Sequence, residues 1–267
     1  MKKWVLALLL VTVALVPVRA DLTMVQTMTM EGPAAAAMGG QMPTITLRIK
    51  GSKARSDVQT PTMNIIAITD LATKEVTILN PGTKTAQVIS SDSAAGKIAT
   101  PQVDVSYKPT GKTQTIDGQS CDEHQFAITL SMADMGGDQV PPEAAAMMKD
   151  VKMLMNGSVW TAKAAPGAAE YAAYTQAALK SGIFAAMAGM PAGRSGGMDK
   201  LMAAAASAPG VPYLTEIAMT VEGTGPMVEA MKNMGPMKMV QKLTSVSTET
   251  LTDDLFKVPE GYTVEKK

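Results

Sequence analysis

Apolar and polar residues alternate with period two over long stretches of this chain, a pattern that predicts half-buried strands. Leu22, Met24, Met28 and Met30 fall on one side of the first stretch, with Thr23, Thr27 and Thr29 on the other. Thr44–Lys50 repeats it, with Ile45, Leu47 and Ile49 on the apolar side. A weaker stretch follows at Lys53–Gln59, then an Ile-rich apolar run at 63–69 and further strands at 75–79 and 85–89. Gly51-Ser52, residues 70–74 and Asn80-Pro81-Gly82 part them, and all suit turns. This half of the chain reads as a meander of about six antiparallel strands.

Beyond a polar connection at 90–101, Val103, Val105 and Tyr107 alternate again, and Thr110-Gly111-Lys112 reads as a turn. Segments 114–116 and 120–130 flank Asp117-Gly118, a hairpin signal. Pro141-Pro142-Glu143 suits a helix start. Ala144, Met147, Met148, Val151 and Met155 then form one apolar stripe, predicting a helix over 142–155. Segment 157–163, with Trp160, predicts a strand. Segment 168–187, with Tyr171, Tyr174, Leu179, Ile183 and Phe184, predicts a second helix. A loose linker at 189–197 and a short Ala-rich helix at 198–207 follow, then strands at 213–222 and 239–250. Met227, Met231 and Met234 share a stripe of a short helix ended by Gly235-Pro236. The expectation is an α+β fold: a curved antiparallel half-barrel of about nine to eleven strands, with two or three helices covering its concave face.

Composition narrows the function classes. Lys plus Arg and Asp plus Glu both number 24, so the chain has no cationic excess for phosphate contacts, and nucleic acid is not an expected partner. One cysteine (Cys121) and one histidine (His124) exclude a disulfide framework or a zinc cluster within one chain. Methionine is abundant, 23 residues against 2 Trp, 5 Tyr and 3 Phe. A wide sheet must then be packed by Met and aliphatic side chains.

The chain starts with the basic Met1-Lys2-Lys3, an uncharged apolar run of 13 residues (4–16), and Pro17-Val18-Arg19-Ala20. This is the pattern of a secretory signal peptide. The run is short of the roughly 20 residues that a membrane span needs. The expected organisation is a signal peptide at 1–20, cleaved after Ala20, and one periplasmic domain at 21–267, with no stable membrane span after cleavage. A lone cysteine in an oxidising compartment has no internal partner, so Cys121 is expected to be a buried small apolar residue.

Three segments carry a family resemblance: Ile49-Lys50-Gly51-Ser52-Lys53-Ala54-Arg55-Ser56-Asp57, residues 110–123 (TGKTQTIDGQSCDE), and the ending Leu255-Phe256-Lys257-Val258-Pro259-Glu260-Gly261-Tyr262. With Gly157-Ser158-Val159-Trp160 and Gly210-Val211-Pro212 in matching order, the chain resembles a family of exported bacterial proteins of unknown function. That family is similar to the lipoprotein-carrier superfamily of the LolA/LolB type. The resemblance implies an incomplete, strongly curved barrel whose cavity holds acyl chains, and it implies no catalytic residues.

Candidate chemistry is sparse. Cys121 and His124 are an odd step apart in a strand and so point to opposite faces, which is poor geometry for a nucleophile and its base. No catalytic residue and no cofactor is expected, and the chain reads as a non-enzymatic binding protein. Met24, Met28, Met30, Ile45 and Leu47 from the first strands, with Met147, Val151 and Ile183 from the helices, are the expected lining of a cavity for an apolar ligand such as a lipid, acyl chain or lipopeptide. A possible partner is a lipid or lipoprotein. The alternative is a Cu(I) site at Met234, Met237 and Met239, since thioethers are soft ligands.

Overall fold

Six strands at the start of the chain pair each with the next. They are β1 (Leu22–Glu31), β2 (Thr44–Lys50), β3 (Lys53–Gln59), β4 (Asn64–Asp70), β5 (Glu75–Asn80) and β6 (Thr85–Ser90). The structure is a computed structural model that describes residues 20–32, 43–60, 62–91, 103–132, 148, 150–183, 203, 206, 208–233 and 235–266. The predicted signal peptide, apart from Ala20, lies outside these residues. Local chemistry sets the turns. Asn80 Oδ1 accepts the backbone N–H groups of Gly82 and Thr83, at 3.0 and 3.3 Å, and so closes the β5–β6 turn.

β7 (Val103–Ile116) and β8 (Gln119–Ser131) form a long hairpin. Asp117 and Gly118 both take positive φ, 48° and 80°, as a tight hairpin turn with the twist of its strands requires. Thr110-Gly111-Lys112 is no turn. The register shifts between Pro109 and Thr113, and Gly111 has φ 77°, so the segment is an irregularity within β7. β9 (Lys152–Ala162), β10 (Val211–Glu222) and β11 (Met237–Ser247) continue the sheet, and β11 pairs with β1 to join its two halves. The short β12 (Thr263–Lys266) lies parallel to β6. The order across the sheet is β12-β6-β5-β4-β3-β2-β1-β11-β10-β9-β8-β7.

These findings overturn the expected fold class. Among the described residues the sheet has twelve strands rather than nine to eleven, one of them parallel, and it does not close into a barrel. The described residues contain two α-helices, α1 (Ala168–Ser181) and α2 (Pro226–Asn233), and strand dominates. The helix predicted over 142–155 fails at its C-terminal end, because Lys152–Met155 belong to β9. Val151 and Met155 are four residues apart, a spacing that satisfies a helical stripe and a strand face equally. Residues 142–147 of that segment lie outside the described residues, as does most of the helix predicted at 198–207. α1 is shorter than predicted: it stops at Gly182, whose φ of 71° carries the chain out of the helix.

Opposite faces of β1–β6 are covered by different elements. One face presents Leu22, Met24, Ile49, Ala54 and Val76, which are 5% exposed or less, towards Ala168, Tyr171, Tyr174 and Ala178 of α1. The other presents Ile66, Ile68, Leu79 and Ala86 to a strap formed by the C-terminal segment, in which Phe256 is buried and Leu251, Leu255, Val258 and Tyr262 pack beside it. A 3₁₀-helix at Asp253–Phe256 shapes the strap. Lys50 Nζ donates to Leu251 O at 2.7 Å and pairs with Asp253 at 2.7 Å, and Arg55 Nη1 donates to Leu255 O at 3.0 Å.

Candidate functional site: a methionine-rich sheet face

In β7–β11 the period-two pattern leaves one apolar and one polar face. Cross-strand register builds the apolar face as rows. Tyr107, Phe126, Gly157, Ile217, Met239 and Met30 lie opposite one another in sequence across β7, β8, β9, β10, β11 and β1. On one side of this row runs Val105–Ile128–Met155–Met219–Met237. On the other runs His124–Val159–Thr215–Gln241–Met28. Phe126, Ile128 and Leu130 are buried, whereas Met28, Met30, Met153, Met155, Met219, Met237 and Met239 are only partly buried. A floor of aromatic and aliphatic groups thus carries flexible thioether side chains, which adapt to irregular apolar shapes.

The predicted site residues are only partly brought together. Met24 is fully buried and lies opposite Leu47, in the core that α1 covers. Ile45 faces Gln26 on the same strand pair. Met28 and Met30 lie further along β1 and belong to the methionine rows. Ile183 is 1% exposed in a separate cluster with Leu71, Val76 and Ala178. Val151 is 1% exposed in the turn before β9, where its N–H donates to Met148 O at 3.0 Å. Met147 lies outside the described residues. For copper, Met237 and Met239 share one strand face, but Met234 lies outside the described residues, and nothing among the described residues supports a copper site.

Sequence reading missed a polar cluster at the edge of the rows. His124 is 8% exposed and stacks on the Tyr107 ring, with centroids 5.4 Å apart and planes at 18°. Thr161, 4% exposed, is the neighbour of Val159 on the same face of β9, diagonal to His124. Among the described residues, Tyr107 Oη, His124 Nδ1 and Thr161 Oγ1 are the buried side-chain polar atoms without a hydrogen-bond partner. Burial, with a smaller effect from nearby Tyr171 of α1, pushes the Tyr107 hydroxyl up to about 12. Only the residue types of this cluster were visible in the sequence; the bulged register that juxtaposes them was not.

The opposite face of the same strands holds a half-open polar trough of about 640 Å³. Lys108, Gln125, Ser158, Glu216 and Lys238 line it, and Lys238 pairs with Glu216 at 3.3 Å. Cys121 is fully buried, its Sγ 3.6 Å from Gln119 O, and burial pushes the thiol up. Native protein should therefore react with a thiol reagent at least about tenfold more slowly than unfolded protein, because the thiolate is the reactive form. Equal labelling rates in the two states would show that Cys121 is accessible.

No family model matches the chain, and no curated protein matches it. Among solved structures it is similar to an uncharacterized conserved protein from Thermus thermophilus, with 8% identity, TM-score 0.41, and coverage of 94% of this chain and 92% of that one. It is also similar to the Mycobacterium tuberculosis lipoprotein LppX, with 9% identity, TM-score 0.29, and coverage of 86% and 88%. Both similarities are distant, and neither says what this chain binds.

Proposed function

We propose that this is an exported, non-enzymatic protein that holds the acyl chain of a lipid against the methionine-rich face of β1 and β7–β11. The observation that carries the reading is the set of partly buried methionines on one face of four strands, β1, β11, β10 and β9, continued by the apolar residues of β8 and β7. A core built for stability alone gains from well-defined rotamers, and unbranched Met is poorly suited to that. Met suits a surface that must accept chains of varying length and kink. Each buried CH₂ of a ligand would contribute roughly 0.8 kcal/mol. The basic, apolar and small-residue start of the chain supports export. No helix among the described residues is long and apolar enough to cross a membrane.

A native mass spectrum of protein recovered from the periplasm tests location and cargo together. The expected result is a chain beginning at Asp21 with a lipid adduct that disappears on unfolding. Met219→Asp and Met239→Asp should retain the fold and lose the adduct, because a carboxylate placed on the rows is costly to desolvate. A wild-type protein that carries no lipid, and takes none from added fatty acid, would overturn the reading.

A further inference from the structure

We infer that Tyr107, His124 and Thr161 receive the uncharged, hydrogen-bonding head of an acyl lipid, an ester of the monoacylglycerol kind, at one edge of the methionine rows. This assignment rests on the lipid-binding reading above. The three residues occupy one face of β7, β8 and β9, and successive members are diagonal neighbours. Tyr107 and His124 are already in ring contact. Each has a buried polar atom without a partner, and His124 and Thr161 are more than nine-tenths buried. Unpartnered buried polar groups are destabilising and rare, so three together call for an account of what they bind.

Charge decides the class of head. Asp122 shares the face of His124 on β8, and Lys163 holds it at 2.8 Å, with Thr113 Oγ1 donating to it at 3.1 Å. Lys163 is thus already committed to a carboxylate. Lys108 and Lys112 serve the other face: Lys108 lines the polar trough, and Lys112 lies 3.5 Å from Glu123. A carboxylate or phosphate head at the cluster would meet no free cation among the described residues and would sit near Asp122, at a large desolvation cost. Two hydroxyls and an imidazole nitrogen can each donate or accept. They match the carbonyl and hydroxyls of an ester head, while the chain extends from Tyr107 along Phe126, Ile217 and Met239.

The test compares three probes with the same chain length: monodecanoylglycerol, decanoate and 1-decene, each displacing a fluorescent lipid from the full-length mature protein. Wild type should bind monodecanoylglycerol about tenfold more tightly than either of the others, the scale of one to two net hydrogen bonds. Combining Tyr107→Phe, His124→Phe and Thr161→Val should remove that preference. Its melting temperature should be equal or higher, since no polar atom is then left buried without a partner. If the triple variant does not fold, Tyr107→Phe with Thr161→Val provides the same comparison. Equal wild-type affinity for all three probes, or for the glycerol ester and decanoate, overturns the head assignment while the lipid-binding reading stands. A preference that survives the substitutions overturns it too. No binding of any probe overturns both.

Discussion

Asp57→Ala is expected to lower the free energy of unfolding by about 3 kcal/mol, at the lower end of the cost of breaking a buried ion pair by removing one partner. Arg48 on β2 and Arg55 on β3 are directly opposite each other. Asp57, 7% exposed, lies between their charges. Arg55 Nε and Nη2 donate to its two oxygens at 2.7–3.1 Å, and Arg48 Nη1 donates to Oδ2. Without the carboxylate, two guanidinium groups would oppose each other across one strand pair, an arrangement that is itself unfavourable. The effect should spread to the strap, because Arg55 also donates to Leu255 O. A urea titration reads the loss as a lower midpoint, and hydrogen exchange should show residues 251–257 losing protection. Asp57→Asn, which still accepts hydrogen bonds, should cost less. A midpoint unchanged in Asp57→Ala would mean that the arginines find solvent at no cost.

Gly157→Ala should cost about 2–3 kcal/mol, the upper range for overpacking a filled site. Gly157 is in the middle of β9, between Phe126 of β8 and Ile217 of β10. A Cβ there would collide with the carbonyl oxygen of Glu216 and with the Phe126 ring. The ring can swing aside, but the carbonyl is fixed by strand pairing, so backbone must move. The expected result is a lower melting temperature and, on the proposed function, weaker lipid binding, because displacing Phe126 disturbs the row from Tyr107 to Met30. A melting temperature within a degree of wild type would show that β9 and β10 are more loosely paired than the structure indicates.

Much of the first sheet half was legible because its determinants are local. Alternation placed β2 and β3 at their observed bounds, and turn chemistry at Asn80-Pro81-Gly82 and Asp117-Gly118 depends on a few adjacent residues. The apolar side of β1, from Leu22 to Met30, followed from period two alone. That reasoning also separated Cys121 from His124, because faces within one strand need no partner to define them.

Other features belong to the tertiary structure. Val151 and Met155 fit helix and strand alike, and pairing with β8 and β10 decided for β9. Thr110-Gly111-Lys112 has the composition of a turn, but continuous pairing on both sides makes it an irregularity in one strand. The exposed β12 has no apolar pattern to read and exists through its parallel contact with β6. The methionine rows depend most on distant pairing. The sequence alone determines that Met28 and Met30 share a face. Only the pairing of β1 with β11 puts Met30 opposite Met239, and only the β10 and β9 registers extend that line to Phe126 and Tyr107. Periodicity along a strand comes from backbone geometry, whereas register between strands far apart in sequence is set by hydrogen bonding and packing that exist only once the sheet has assembled.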